Sequence, residues 1–249
     1  MNRLGVLSAS RSFAVEALRF LLDSTPERRR RRYGDVDYDW EYRVDTTSAT
    51  VGLRDRLLGT LHSPYQPTEP TLFHEMLGEL KINFSDFTFL DLGSGKGRVL
   101  LMAAEYPFKR IMGVELLPEL NRTAQENLSR YKADTQKCFN VETMCGDARH
   151  FVFPAEPTVL YLFNPLQESG LRQMIGNLER SLEEYPRRLY VLYHNPLLAG
   201  LFSESRYFRK IGGTGRYVVY STKKSDDVFQ QERNVSGEPR SGNQCPEWF

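Results

Sequence analysis

A glycine-rich segment between an apolar stretch and a helical pattern limits the folds open to this chain. It reads FTFLDLGSGKGRVLLMAA, residues 87–104, and begins with an apolar strand, predicted at residues 87–90, that leads into Asp91. Glycines then occupy alternate positions: Gly93, Gly95 and Gly97. A helical pattern starts at Arg98. A strand, a tight glycine turn and a helix in direct succession are typical of the first crossover of a Rossmann-like sheet.

The residues of this turn favour a ligand with a cationic group. A dinucleotide fingerprint reads G-x-G-x-x-G, whereas here the third glycine comes one residue early and is followed by Arg98. The carboxylate of Asp91 would repel a pyrophosphate but suits an amino group that carries positive charge. A structural turn that holds no ligand is the alternative.

The segment resembles motif I of the class I S-adenosylmethionine-dependent methyltransferases. That resemblance implies S-adenosyl-L-methionine as the cofactor, with its methionine end at Asp91, Gly93, Ser94, Gly95 and Gly97. It also implies a three-layer α/β Rossmann-like sandwich whose seven-stranded, mostly parallel sheet has the order 3-2-1-4-5-7-6 with one antiparallel strand. Within the class, the chain looks most similar to uncharacterised bacterial proteins near the non-SET histone-lysine methyltransferases.

Acids at two further strand ends suit the rest of the cofactor. Glu115 ends the second predicted strand, 24 residues after Asp91, and can accept hydrogen bonds from both ribose hydroxyls. The third predicted strand, residues 139–144, is followed by Asp147 and Ala148. The resemblance implies that Asp147 accepts a hydrogen bond from the adenine amino group and that the neighbouring backbone meets a ring nitrogen. An Asx-type turn is the alternative for Asp147.

The fourth predicted strand ends in Asn164-Pro165-Leu166, on the expected substrate side of the cofactor. Many N-methylating relatives carry Asn/Asp-Pro-Pro-aromatic here, but this chain has one proline and no aromatic residue. Asn164 is the candidate for orienting the nucleophile, with a turn-forming role of nearly equal weight. His194, at the end of the fifth predicted strand, is either a general base or a structural residue.

Tyr65 and Thr68 precede the helix predicted for residues 71–80, which comes just before the glycine segment. A similar tyrosine-and-threonine segment in non-SET lysine methyltransferases touches the cofactor and closes the pocket. The resemblance therefore makes Thr68 a cofactor ligand and Tyr65 a catalytic residue. A proline-rich connector is the alternative.

The sequence divides into three parts. Residues 1–64 are predicted to hold an amphipathic helix, an arginine-rich linker with the run Arg28–Arg32, and an irregular arm that acts as a lid. The methyltransferase domain is predicted at residues 65–222, and the polar tail 223–249 is expected to be disordered. The N-terminus also has features of a mitochondrial presequence, which is an alternative to the amphipathic helix.

Composition restricts partners and compartment. The net charge is +1, so there is no global electrostatic argument for a nucleic-acid partner. The arginine run is a phosphate-binding or a solvated segment. Three cysteines without metal-ligand spacing favour a reducing compartment, predicted as the cytoplasm, and predict no metal site. No apolar run has the roughly 20 residues that a membrane-spanning helix needs.

Three functions are compatible with these features. The first is an N-methyltransferase that uses direct in-line displacement, with a protein lysine as the first acceptor considered and a small molecule next. The second is a nucleic-acid methyltransferase, supported by the arginine run. The third is a non-catalytic cofactor-binding scaffold, against which the intact Asp91, glycines and Glu115 argue.

Overall fold

The computed structural model of the protein describes residues 36–47 and 66–223. The predicted N-terminal amphipathic helix, the run Arg28–Arg32, Tyr65 and the C-terminal tail lie outside these residues. The domain boundaries expected from the sequence therefore stay predictions.

The described strands form one sheet in the order β3-β2-β1-β4-β5-β7-β6. The strands are β1 (Thr88–Leu92), β2 (Arg110–Glu115), β3 (Val141–Cys145), β4 (Thr158–Phe163), β5 (Leu189–His194), β6 (Phe208–Gly213) and β7 (Tyr217–Thr222). Strands β1 to β5 pair in parallel, and β7 runs antiparallel to β5 and β6. The predicted Rossmann-like fold and strand order are confirmed.

Helices surround the sheet. They are α1 (Val36–Tyr42), α2 (Pro70–Gly78), α3 (Arg98–Ala103), α4 (Pro118–Arg130), α5 (Glu168–Glu184) and α6 (Gly200–Glu204). Helices α2 and α4 begin with a proline, whose missing N–H has no intrahelical partner at that position in any case. Helix α6 was not predicted, because five residues are too few to show a helical period.

Strands β1 and β3 begin or end at different residues from those predicted. Strand β1 extends past Asp91, because Asp91 pairs in register with Gly113 and Tyr161 on the two neighbouring strands. Strand β3 begins at Val141, where its pairing with β2 starts. Phe139, the predicted first residue of β3, is 80% exposed. Apolar patterning indicated both strands, but their ends are set by pairing with neighbours.

The core consists of two apolar clusters, one on each face of the sheet. Consecutive β1 residues belong to different clusters, Phe89 to one and Leu90 to the other, as expected when side chains alternate across a strand. Phe73 of α2 packs edge-on against Phe89, with 5.9 Å between ring centroids. Leu171 of α5 belongs to the cluster of Leu90. Helical layers thus cover both faces and leave the strand ends as the place for a ligand.

Within the described ranges, no helix combines the length and the apolar character required to cross a membrane.

Candidate active site

The glycine turn after β1 has a backbone that only glycine adopts easily. Gly93, Gly95 and Gly97 all have positive φ angles, of 86°, 55° and 84°. A Cβ on Gly93 would lie 2.8 Å from the Cβ of Pro165, and one on Gly97 would lie 3.2 Å from that of Ala124. The turn therefore favours glycine at all three positions, and the close approach of neighbouring side chains adds to this requirement at Gly93 and Gly97.

Asp91 lies at the end of β1 beneath this turn and is 2% exposed. Burial, and then the negative charge of Glu115, holds the pKa of the Asp91 carboxyl well above its usual range. A cationic group placed beside Asp91 would favour the ionised form and offset part of this cost.

Glu115, at the end of β2, already holds the turn in place. Its Oε2 accepts a hydrogen bond from the backbone N–H of Gly95 at 2.8 Å, and its Oε1 accepts one from that of Leu117 at 2.9 Å. Burial raises the pKa of Glu115, and these backbone bonds oppose the rise. Each carboxylate oxygen retains acceptor capacity for a further donor such as a ribose hydroxyl.

Asp147 caps the turn that follows β3. Its Oδ1 accepts from the backbone N–H of Arg149 at 2.9 Å, and its carboxylate also pairs with the Arg149 guanidinium. These bonds hold the pKa of Asp147 below its usual range. The side chain thus forms the Asx-type turn, and its contact with adenine stays a prediction.

A cavity of about 490 Å³ opens at the carboxyl ends of β1, β2, β3 and β4. The predicted site residues that line it are Thr68, Asp91, Gly93, Ser94, Gly95, Glu115, Asp147, Ala148 and Asn164. Gly97 is not part of the lining, because it faces helix α4 through Ala124. The fold therefore gathers side chains from positions 68 to 164 around one space.

Asn164 takes part in a structural hydrogen-bond pattern. Its φ is 43°, and the following strand ends in the same way at Asn195, whose φ is 47°. The Asn164 amide nitrogen donates to the carbonyl of Asn195, and its Oδ1 accepts from the hydroxyl of Tyr193 at 2.8 Å. These contacts fit the turn-forming alternative, and a catalytic role for Asn164 stays a prediction.

A buried chain of hydrogen bonds runs from two cavity-lining residues, Thr68 and Tyr161, to His194. The hydroxyls of Thr68 and Tyr161 are 2.7 Å apart, and the Tyr161 hydroxyl is 2.8 Å from Nδ1 of His194. Thr68 and His194 were candidates from the sequence, but Tyr161 was not, because it lies in the apolar strand TVLYLF. The signal that identifies it is a polar group near the carboxyl end of a core strand.

The short segment 36–47 contacts the end of the glycine turn and the start of α3 through hydrogen bonds and ion pairs. Arg98, 2% exposed, donates from Nε to the hydroxyl of Thr46 at 2.6 Å and from Nη2 to Asp39 at 3.1 Å. The neighbouring Lys96 pairs with Asp45 at 2.7 Å. In the sequence, Arg98 was notable only as a departure from the dinucleotide pattern. The arm was predicted to be irregular, but Val36–Tyr42 forms helix α1.

The sheet order, the glycine turn and the cavity at the strand ends are features of the Rossmann-like fold that class I methyltransferases share. The family model described as "Methyltransferase domain" matches residues 89–184. This part of the chain, less than half of its 249 residues, is therefore similar to methyltransferase domains. Among the described residues, no group of three or more His, Cys, Asp or Glu is placed to hold a metal ion.

Several known proteins are similar to parts of the chain. A protein-lysine N-methyltransferase from Saccharolobus islandicus is 36% identical over 70 residues, which cover 28% of this chain and 43% of that relative. An RNA methyltransferase from Salinibacter ruber, solved with S-adenosyl-L-homocysteine, is 23% identical with a TM-score of 0.43 and covers 63% of this chain and 92% of its own. A precorrin-6y C5,15-methyltransferase from Geobacter metallireducens is 16% identical with a TM-score of 0.48, and the match covers 63% of this chain and 90% of that protein.

Proposed function

We propose that this protein transfers a methyl group from S-adenosylmethionine to a nitrogen nucleophile, with a protein lysine as the first candidate acceptor. The observation that carries the proposal is the cavity where Asp91, the glycine turn, Glu115 and Asp147 meet at four strand ends. In Rossmann-like sheets this is the location at which ligands bind.

The methionine end of the cofactor fits the part of the cavity formed by β1 and the glycine turn. The buried Asp91 carboxyl suits the amino group of the cofactor, because an ammonium offsets the desolvation that raises its pKa. The Ser94 hydroxyl is buried and has no hydrogen-bond partner among the described residues, so it is available to a ligand. Thr68 lines the cavity beside this end.

The nucleoside end fits between β2 and β3. Glu115 has acceptor capacity for the ribose hydroxyls beyond its two backbone bonds. Leu116 is half-exposed and lines the cavity, and it offers an apolar surface to a base. Asp147 and Ala148 lie on the same side and are the proposed contacts to the adenine edge.

The cofactor supplies a methyl group that is already activated on a sulfonium. The protein therefore has to align the nucleophile with the methyl group and remove water from around it, and it does not have to activate the methyl group. Alignment requires the nucleophile about 3 to 3.5 Å from the methyl carbon. A lysine nucleophile must also be neutral, and a poorly hydrated cavity favours this form because burial lowers the pKa of an amine. The aromatic side chain of Phe163 lines the cavity and contributes to that environment.

The choice of lysine as first acceptor is supported by the Saccharolobus islandicus relative, although the match spans less than half of that protein's length. The nucleic-acid alternative depends on the run Arg28–Arg32, which lies outside the described residues.

Calorimetric titration tests the cofactor proposal. We expect S-adenosylmethionine and S-adenosylhomocysteine to bind, NAD not to bind, and Asp91→Ala to abolish binding. Glu142→Ala, which removes a carboxylate on β3 that does not line the cavity, is the matched control. Transfer of labelled methyl to lysine-containing peptides then tests the acceptor. Binding of NAD, or equal effects of the two substitutions, would refute the proposal.

A further inference from the structure

The chain Thr68–Tyr161–His194 joins three separate parts of the fold. Thr68 lies in the segment before α2, Tyr161 in β4, and His194 at the end of β5. All three side chains are buried, with His194 9% exposed. Thr68 and Tyr161 line the cavity, whereas His194 lies behind Tyr161 and stacks against Phe163 at 3.8 Å between ring centroids.

The charge states and the relative donor strengths favour one direction of the hydrogen bonds. Burial, together with the charge of Asp91, keeps the pKa of Tyr161 well above its usual range, so its phenol stays protonated. Burial, and then the charge of Arg216, lower the pKa of His194 to about 4, while the charge of Glu69 opposes the change. His194 is thus neutral at pH 7. A phenol is a better donor than a neutral imidazole N–H, which favours the tautomer in which Tyr161 donates to Nδ1 of His194.

This direction leaves Tyr161 with one unused acceptor site. Its hydroxyl donates to His194 and accepts from Thr68, and a hydroxyl oxygen has two lone pairs. The remaining lone pair belongs to a side chain that lines the cavity. Asn164, the residue expected to orient the nucleophile, already uses its amide in bonds to Tyr193 and Asn195.

We infer that the Tyr161 oxygen accepts a hydrogen bond from the attacking nitrogen and thereby directs that nitrogen's lone pair at the methyl group. His194 is the positioning residue that fixes the orientation of the Tyr161 hydroxyl. The inference rests on the proposed function and narrows the acceptor to an amine that keeps an N–H, such as the lysine ε-amino group. Anionic acceptors without a hydrogen to donate are disfavoured.

The reaction balances as a simple displacement. The nitrogen lone pair forms the new N–C bond while the C–S bond breaks. The electron pair of the C–S bond stays on sulfur, which becomes a neutral thioether. The product nitrogen carries the positive charge and loses a proton to water after leaving the cavity. Tyr161 makes and breaks only a hydrogen bond.

Turnover and cofactor affinity separate this role from cofactor binding. The probe acceptor is poly-L-lysine with labelled S-adenosylmethionine, and affinity for S-adenosylhomocysteine is measured by calorimetry. We expect Tyr161→Phe to reduce turnover about 10- to 100-fold with cofactor affinity within about twofold of wild type. Tyr220→Phe removes an equally buried hydroxyl, bonded to the carbonyl of Ala199 away from the cavity, and should leave both values unchanged. Loss of cofactor affinity in Tyr161→Phe in proportion to turnover would overturn the assignment.

His194 is tested by a pair of substitutions and by its tautomer. His194→Asn keeps an acceptor near the Nδ1 position and should retain most turnover, whereas His194→Leu should lose as much as Tyr161→Phe. Nitrogen NMR of labelled histidine should show Nδ1 of His194 unprotonated, with its signal shifted in Tyr161→Phe. A protonated Nδ1 would mean that His194 donates to Tyr161, and this would refute the inference. Absence of methyl transfer by the wild-type protein would count against the lysine acceptor. The NMR result shows in either case whether Tyr161 donates its hydrogen bond to His194.

Discussion

Replacing Asp39 with asparagine should destabilise the protein strongly, although Asp39 lies outside the cavity. Its carboxylate accepts from the backbone N–H of Thr46 at 2.7 Å and of Thr47 at 2.8 Å, and from the Thr47 hydroxyl at 2.7 Å. It also pairs with the buried guanidinium of Arg98. Asparagine is similar in size, but it loses the charge and turns one acceptor into a donor that faces other donors.

The magnitude follows from the burial of the pair. The exposed fractions of the Arg98 and Asp39 side chains are 2% and 11%, so both charges are largely desolvated. Removing one member of such a pair costs about 3–5 kcal/mol, because the other charge is left uncompensated. Arg98 keeps its bond to Thr46 and its position 4.7 Å from the Tyr38 ring centroid, so we expect the lower end, about 3 kcal/mol. At about 2–4 °C per kcal/mol, Tm should fall by about 6–12 °C.

Urea unfolding of the full chain measures this loss. Glu126→Gln, which breaks an exposed pair with Arg130 on α4, is the control and should cost at most about 0.5 kcal/mol. Because Arg98 lines the cavity, Asp39→Asn should also weaken binding of S-adenosylhomocysteine. A destabilisation below about 1 kcal/mol, comparable with the control, would refute the view that a buried ion pair holds residues 36–47 to the glycine turn.

Three further substitutions test the site. Gly93→Ala should weaken cofactor binding at least about tenfold in calorimetry, because its φ is positive and its Cβ would contact Pro165; Gly176→Ala, in an open position on α5, should not. The pKa of Asp91 is higher in the native state than in the unfolded state, so the native state binds this proton more tightly. The contribution of Asp91 to the free energy of unfolding therefore falls as the pH rises above about 4. Asp91→Asn should therefore raise the unfolding midpoint more at about pH 8 than at about pH 5, while cofactor binding weakens. If the substitution shifted the midpoint equally at the two pH values, the result would contradict this prediction. Replacing Arg28–Arg32 with serine should leave RNA retention unchanged across salt concentrations, and a marked loss would favour the nucleic-acid alternative.

Local patterns were sufficient to predict the first strand, the glycine turn and the acids that line the cavity, whereas the strand order was implied by the family resemblance. The apolar stretches and glycine spacing identified β1, the turn and α3, because each depends on a few adjacent residues and on the conformations open to glycine. The acids at positions 91, 115 and 147 were recognisable since the carboxyl ends of parallel strands meet at one edge of a sheet.

Contacts between distant residues were decided only by the tertiary structure. Tyr161 belongs to a strand that reads as pure core, and its hydroxyl gains a role only when Thr68, 93 positions earlier, and His194, 33 positions later, pack beside it. Asn164 donates its amide N–H to the carbonyl of Asn195 where β4 and β5 both end in a left-handed residue. Arg98 likewise depends on Asp39, 59 residues away. Local patterns specify strands and turns because their causes are local, whereas the partners of a buried polar group are set by how the whole chain packs.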